Sequence, residues 1–533
     1  MNILAVIPAR ASSREIPNKN IRIIQGYPLI YYSIYNALNS VYITDIVVTT
    51  DSEEVSLIAT QMGITCKWRD EKLCGDDVTL DEVINDAIPN NKNWDLIITM
   101  QPTSPTLSIK TLDKAIEYTI KNNLDTVISA VNKPHLSWSV IKGIKVPNYE
   151  KRLNRQYLPP NYIETGAFMI SRGSVVSNLT RIGNKVDVFE MPFNEACDID
   201  SFVDLQNAIS LLNVEKVAIY VNGNNKRGTG HVYRALEVAD EFFTKPDIYY
   251  DINQTKASIF GKTTHNLIPV NGIEELFERC KVKKYTIFIN DILSTSVDYM
   301  IALKKNLTQC KIINFEDDGE GAEIADLVFN ALYYDANLNH VYTGEKYYIS
   351  KKTFMFYKAI QIKTNVKNIF ISFGGADPQD YSDQLLEMIS KQDYKDYNFT
   401  VVLGKEKKNV EDLLKYNKYS QIKVLHDVLN IPQLMSDCDI AITSCGRTAY
   451  ELAMLGVPAI AIAQNKREEK HRFVRKETGF FYLGLNPTEE IIEDALKKYL
   501  KLSTLDRLQI NKQLLSHDLR NGRKRVMALI NNL

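Results

Sequence analysis

The sequence predicts an α/β protein made of three successive Rossmann-like units, and three observations carry that expectation. Short β-rich apolar runs alternate with amphipathic helical stretches almost throughout. The order strand, Gly-rich loop, helix begins afresh near residues 217 and 366. The 533-residue length exceeds the size at which one hydrophobic core usually stops growing, so two or three domains are expected.

The first unit reads NILAVIPAR, PLIYYSIYNALNS, DIVVTT, EEVSLIATQMG and DLIITM, strand and helix by turns. Such alternation makes a mostly parallel sheet, whose ligands bind beyond the carboxyl ends of the strands. A second start, VAIYVNGNNKRGTGHVYRALEVAD, places a boundary at 212–217. TIFIND, CKIINF and DLVFNAL continue it, and an aromatic-rich connection follows through 332–366. The third start is KNIFISFGGADP, with FTVVLG, DIAITSCG and PAIAIAQ behind it. The expected domains are therefore 1–214, 217–358 and 366–533, the last two forming one module with a cleft between its halves.

Composition narrows the function class. Apolar residues make up 45% and charged residues 24%, and 64 Lys plus Arg nearly cancel 65 Asp plus Glu, so no global charge points to nucleic acid or an anionic membrane. No apolar run is long enough to span a bilayer, and MNILAVIPAR lacks the basic region and cleavage site of a signal peptide, reading instead as a buried strand. Cys66, Cys74, Cys197, Cys280, Cys310, Cys438 and Cys445 are scattered without CxxC pairs, which argues against zinc and disulfides and for a cytoplasmic home.

The first candidate site is IPARASSREIPNKN. A strand ends at Pro8 and enters a polar loop with Arg10, Ser12, Ser13, Arg14 and Lys19, whose backbone donors and fixed cations suit a triphosphate; an ordinary basic, solvated loop also fits. Further on, DID offers Asp198 and Asp200 at i and i+2, which on an extended segment point to one side as oxygen ligands for a hard cation; in isolation such a pair also reads as a solvated turn.

Taken with PLI at 28–30, TDS at 50–52, QPTSP at 101–105, SAV at 129–131, RQ at 155–156 and GA at 166–167, these segments resemble the acylneuraminate cytidylyltransferases over about 210 residues. The resemblance implies that Arg10, Ser13, Arg14, Lys19 and Asn20 bind CTP, with Arg10 and Lys19 catalytic and Lys19 facing the charge that develops as pyrophosphate leaves. It implies Mg²⁺, or Mn²⁺, on Asp198 and Asp200, and acceptor contacts from Gln101, Ser104, Arg155 and Gln156, a guanidinium being suited to the acceptor's carboxylate. It also implies a homodimer through this domain. Ala11 and Ser12 replace the family's two glycines, Glu15 replaces a third, and Ile163 and Thr165 stand where sialic-acid enzymes often show Arg and Asn. These departures point to a deoxy, diacetamido relative of N-acetylneuraminic acid as acceptor.

The second candidate site starts at KRGTGHVYR, where His231 follows Gly228 and Gly230 at the expected start of a helix. A helix N-terminus disfavours imidazolium, which suits a neutral general base, although a capping or buried histidine also fits. FGGADP and SCGRTAYELAMLGVP supply two more glycine turns, the second with Thr448 and Glu451 at a helix start. Together they resemble the nucleotide cradle of two-Rossmann, glycosyltransferase-B-like folds, and most closely the UDP-2,4-diacetamido-2,4,6-trideoxy-altropyranose hydrolase family and its spore-coat relatives, over about residues 217–490.

The resemblance implies that His231 activates water and that Gly230, Gly375, Ser444, Gly446, Thr448, Glu451 and Asn465 bind a UDP-sugar, with Glu451 taking ribose hydroxyls. Two departures stand out: Asp291 is followed by Ile292 where that family has a tyrosine, and Arg467 replaces a histidine. The expected whole is a Rossmann-like nucleotidyltransferase domain fused to a glycosyltransferase-B-like module, acting as a bifunctional enzyme on CTP, a nonulosonic acid and a UDP-sugar. A glycosyltransferase, or a non-catalytic nucleotide-sugar-binding module, remains an alternative for the second part.

Overall fold

The computed structural model describes every residue except 12–14, 76, 214, 224–229, 333–337 and 429. The chain divides into two compact units, Met1–Val214 and Glu215–Leu533.

The first unit is built on a seven-stranded sheet in the order Val186–Glu190, Thr126–Asn132, Tyr162–Arg172, Leu96–Met100, Ile3–Pro8, Asp45–Thr50, Thr65–Trp68. Ile3–Pro8 pairs in parallel with Asp45–Thr50 and Leu96–Met100, and its residues Ile3 to Ile7 are buried, as a central strand covered on both faces requires. Helix Leu29–Asn39 repeats Ile30, Ile34 and Ala37 at helical spacing and packs them into the same core. Tyr162–Arg172 runs antiparallel to both neighbours, and its register shifts between Glu164 and Met169. Gly166 sits in that shift at φ 68°, a backbone conformation that favours glycine. Between Thr126–Asn132 and Tyr162–Arg172 the chain makes a hairpin, Trp138–Ile141 with Ile144–Pro147, which leaves Trp138, Val140 and Ile144 exposed. This mixed, mostly parallel sheet is the Rossmann-like nucleotidyltransferase architecture.

The second unit contains two parallel sheets. One runs Asn266–Val270, Asp247–Asp251, Val217–Val221, Ile287–Asp291, Lys311–Phe315, Leu327–Asn330, Val341–Thr343. The other runs Ile422–His426, Asn398–Leu403, Asn368–Ser372, Ile440–Ser444, Ala459–Ala463, Phe480–Leu485. In each, the first strand in sequence lies third in the sheet, and the winding reverses there. A crevice opens beyond the carboxyl ends at such a reversal, and among the described residues Gly230, His231 and the turn FGGADP stand at these two positions. Two such sheets in one unit make the glycosyltransferase-B-like arrangement.

The expected extent of the second half, 366–533, needs one amendment. Helix Gly522–Ile530 carries Val526, Met527 and Ile530 into the core of the first half, beside Val217 and Ile219. Arg523 secures the crossing by donating to the carbonyls of Glu237 and Ser350 at 3.0 and 2.6 Å. Among the described residues no helix is long and apolar enough to cross a membrane. All seven cysteines are free.

Candidate active sites

In the first unit the loop after Ile3–Pro8 is braced from two directions. The Ala11 amide donates to Asp51 Oδ1 at 2.6 Å, and Asn20 Nδ2 donates to the Arg10 carbonyl at 2.9 Å. Asn20 thus uses its side-chain amide on the backbone of Arg10. Ser13 and Arg14 lie outside the described residues. Asn18, at φ 56°, turns the chain into the short helix Lys19–Ile21.

Lys19 then reaches 180 positions along the chain: its ammonium donates to the Ile199 carbonyl at 2.9 Å and lies 3.4 Å from Asp200 Oδ1. The two motifs read separately in the sequence are therefore one site. Gly166 joins them. A Cβ there would fall 3.1 Å from Asp198 Oδ2 and 3.4 Å from Gln101 Nε2, so this glycine lets the carboxylate and the amide crowd one point.

The two aspartates differ in environment. Asp200 is 76% exposed, whereas Asp198 is largely buried, which pushes its carboxyl above the usual range, and its Oδ1 has no hydrogen-bond partner. A buried, unpartnered carboxylate oxygen beside a second carboxylate fits a hard cation. Among the described residues no group of three or more His, Cys, Asp or Glu is placed to hold a metal. A cation here would draw its remaining oxygens from phosphate and water.

The acceptor residues separate. Gln101 is at the site, but Ser104 is buried, with its hydroxyl 3.5 Å from the Thr165 carbonyl, where it supports the strand Tyr162–Arg172. Arg155 and Gln156 lie on an exposed short helix, Arg155–Tyr157, in the excursion after the hairpin. One residue escaped the sequence reading. Arg69, just past Thr65–Trp68, is 5% exposed and donates to the Thr49 carbonyl at 2.9 Å. Burial holds its pKa below the ordinary value, and its hydrogen bond to Thr49, whose carbonyl also accepts from the Ala9 amide, sets it behind the start of the same loop. Its signal was its position directly after a strand.

In the second unit Gly230, His231, Gly375, Ser444, Gly446, Thr448, Glu451 and Asn465 all line one cavity of about 260 Å³ between the two halves. Close packing explains two of its glycines: a Cβ on Gly230 would lie 2.7 Å from Arg447 Cδ, and one on Gly404 would lie 2.1 Å from the Gly374 carbonyl. Asn465 caps the short helix Lys466–Glu469, accepting from the amides of Arg467 and Glu468 at 3.1 and 3.0 Å.

His231 is held by partners that the sequence reading passed over. Its Nδ1 is 2.5 Å from Asp291 Oδ1, and Arg234 donates to both oxygens of Asp291 at 2.8 and 2.6 Å and to Glu316 Oε1 at 3.1 Å. All four side chains are buried. With Nδ1–H donating to Asp291, the ring keeps a lone pair on Nε2, the tautomer a general base needs. Burial lowers the His231 pKa, and the Asp291 charge opposes it only in part. The neutral imidazole is thus a consequence of desolvation first, where the sequence had suggested the helix N-terminus.

Glu468 also lines the pocket, and Arg467 lies beside it. Glu468 Oε2 accepts from the amides of Cys445 and Gln464 at 3.2 and 3.0 Å, and burial pushes its carboxyl up to about 7. Arg467 crosses the cleft to donate to the Glu316 carbonyl at 2.7 Å and lies 3.5 Å from Asp318.

Comparison with known proteins divides the chain in the same way. A family model described as cytidylyltransferase matches residues 4–224, and one for the glycosyltransferase family 28 C-terminal domain matches 368–505. An uncharacterized protein of Methanocaldococcus jannaschii is 30% identical over 289 residues, 48% of this chain and 57% of that protein. The spore coat polysaccharide biosynthesis protein SpsG of Bacillus subtilis is 25% identical over 262 residues, covering 46% of this chain and 77% of its own length. The pseudaminic acid cytidylyltransferase of Campylobacter jejuni is 30% identical over 226 residues, which is 40% of this chain and 97% of that enzyme.

Proposed function

The chain belongs to the cytidylyltransferase family through its first unit, and from that premise we propose that this unit transfers CMP from CTP to a nonulosonic acid of the diacetamido, deoxy type. The observation that carries the reading is the convergence of Lys19 with Asp198, Asp200, Gly166 and Gln101 beyond the central strand. The acceptor's anomeric hydroxyl attacks the α-phosphorus and gives up its proton to solvent, the bond to the bridging oxygen breaks, and pyrophosphate departs with the electron pair. Arg10 and Lys19 stabilise charge on the phosphates, Lys19 most as the leaving group forms. Mg²⁺ or Mn²⁺ bound by Asp198 and Asp200 would supply further neutralisation at phosphate oxygens. Gln101 orients the acceptor, and Arg155, on its exposed turn, takes the carboxylate.

The second unit, on this reading, hydrolyses a UDP-diacetamido-trideoxyhexose. His231 Nε2 takes a proton from water as that water attacks the anomeric carbon, the bond to UDP breaks, and Asp291 holds the imidazole throughout. A glycosyltransferase reading is favoured by the family 28 match over 368–505. Product analysis decides between them: free hexose marks hydrolysis, and turnover that depends on an acceptor glycan marks transfer. The two activities would flank one step, a condensation of the freed hexose with a three-carbon unit, in a reducing cytoplasm.

The test for the first unit is pyrophosphate release by the full chain with CTP, Mg²⁺ and a panel of nonulosonic acids. No release with any acceptor would overturn it. For the second unit, an unchanged rate of UDP release in His231→Ala would remove the proposed base. The exposed Trp138, Val140 and Ile144 of the hairpin support a homodimer through the first unit.

A further inference from the structure

Four cations stand among the described residues that line the cavity of the second unit: Arg234, Lys351, Lys405 and Arg447. Three of them do visible structural work. Arg234 serves Asp291 and Glu316, Lys405 donates to the Ser258 carbonyl at 2.7 Å, and Arg447 donates to the Ile349 carbonyl at 2.7 Å with its guanidinium over the Tyr348 ring. Lys351 is different. Its ammonium rests 4.6 Å from the centre of the Tyr233 ring, a contact that a fully charged anion readily displaces.

The backbone beneath Lys351 is fixed. The preceding carbonyl, Ser350 O, accepts from Arg523 at 2.6 Å, and the following amide, Lys352 N, donates to Glu237 Oε2 at 3.3 Å. Glu237 is itself bound by Arg523. The stem of this lysine therefore leaves a fixed point on the connection between the halves, and the residue lines the cavity with its head over the Tyr233 ring. The Lys351 charge also acts on Glu451, on the helix Arg447–Leu455 whose start carries Gly446 and Thr448.

Five acids share the cavity wall: Glu316, Asp377, Asp427, Glu451 and Glu468. A diphosphate entering such a wall needs a cation whose charge is not already committed, since backbone donors at a helix start contribute only partial charge. We propose that Lys351 is a diphosphate-binding residue of this cavity, leaving the Tyr233 ring to make a charge-assisted hydrogen bond to the nucleoside diphosphate. The inference rests on the reading of the cavity as a UDP site and adds a ligand contact from the connecting segment.

Calorimetric titration of the full chain with UDP and, separately, with uridine tests it. Lys351→Met is expected to weaken UDP by about tenfold or more, the scale of one charge-assisted hydrogen bond, and to leave uridine within about twofold. Lys351→Arg is expected to keep UDP binding near that of the parent chain. Unchanged UDP affinity in Lys351→Met would overturn the proposal. Parallel loss of UDP and uridine would also overturn it, because it would make Lys351 a support for the cavity's shape. If the parent chain binds neither probe, the UDP reading of the cavity is what fails.

Discussion

The two sites handle charge in opposite ways. In the first unit the chemistry-bearing groups stand at the ends of loops and are partly open: Lys19 leans on Asp200, which is itself 76% exposed, and Asp198 keeps an oxygen without a partner. In the second unit His231, Asp291, Arg234 and Glu316 are buried and satisfy one another. A triphosphate with a divalent cation brings its own charges, so a site for it can leave cations and carboxylates incompletely paired until the ligand arrives. The neutral base proposed for the second unit would need the reverse: dry surroundings, and an orienting carboxylate neutralised from behind. Arg234 does that for Asp291.

The contrast predicts that removing a charge damages the two units differently, and the largest effect belongs to the second. Asp291→Ala leaves Arg234 buried without the carboxylate that accepts two of its hydrogen bonds, which is expected to cost that unit about 3–5 kcal/mol and to abolish UDP release. Pyrophosphate release by the first unit should be unchanged. Differential scanning calorimetry resolving two transitions checks it, and a variant with both transitions in place would break the contrast.

Lys19→Ala comes next. Its loss should lower kcat/KM for pyrophosphate release by about 10²–10³-fold, the scale for one preorganised donor facing developing charge. Because Asp200 stays hydrated, the melting of the first unit should barely move. A clear fall in stability would mean that Lys19 is a structural pin between its loop and Ile199.

The third prediction uses pH. Glu468 titrates at about 7 in the folded chain, above its ordinary 4.5, because burial penalises the charged form. Between those values the folded state holds more protons than the unfolded one, so this carboxyl's contribution is present below pH 4.5 and is lost as pH rises through 7. His471 shifts the other way: buried, with Nδ1 2.7 Å from the Cys445 carbonyl, it titrates at about 4, and its contribution is complete above pH 6.5 and lost as pH falls toward 4. Glu468→Gln is therefore expected to match the parent chain near pH 4.5 and to exceed its stability by about 2 kcal/mol at pH 8. Denaturant melts at the two pH values measure the difference, and equal gaps at both would show that Glu468 carries no excess penalty.

How much of this was legible follows a physical line. Strands such as Ile3–Pro8 and Asn368–Ser372 declare themselves because a central parallel strand must be apolar on both faces, and the loops after them follow from the carboxyl-end rule. Gly166 and Lys19 were readable as motif members, but Gly166 meets Asp198 at a register shift in an antiparallel strand, and Lys19 meets Asp200 across 180 positions of chain, neither of which a local pattern encodes. Asp291 stood out only for the residue that follows it, and Glu316 not at all, because a buried acid at a strand end looks like any loop acid until Arg234 is seen between them. The return of Gly522–Ile530 to the first half was equally hidden: an amphipathic helix shows that it has an apolar face, never which core accepts it.

The smallest expected effect on stability lies in the hairpin, the part of the first unit that belongs to neither style of site. Trp138, Val140 and Ile144 are exposed on two short strands that pair only with each other, and a two-stranded hairpin is marginal in water on its own. The proposed homodimer would cover this apolar surface with a second copy of the chain. Ile144→Lys should therefore leave the melting of the unit within about 0.5 kcal/mol while shifting the mass measured by light scattering from dimer to monomer. If pyrophosphate release falls together with the mass, the arm also orders the turn that carries Arg155 and Gln156. If release stays constant, the acceptor site is complete within one chain. A dimer that persists in Ile144→Lys would remove the hairpin from the interface and leave its exposed tryptophan without a role.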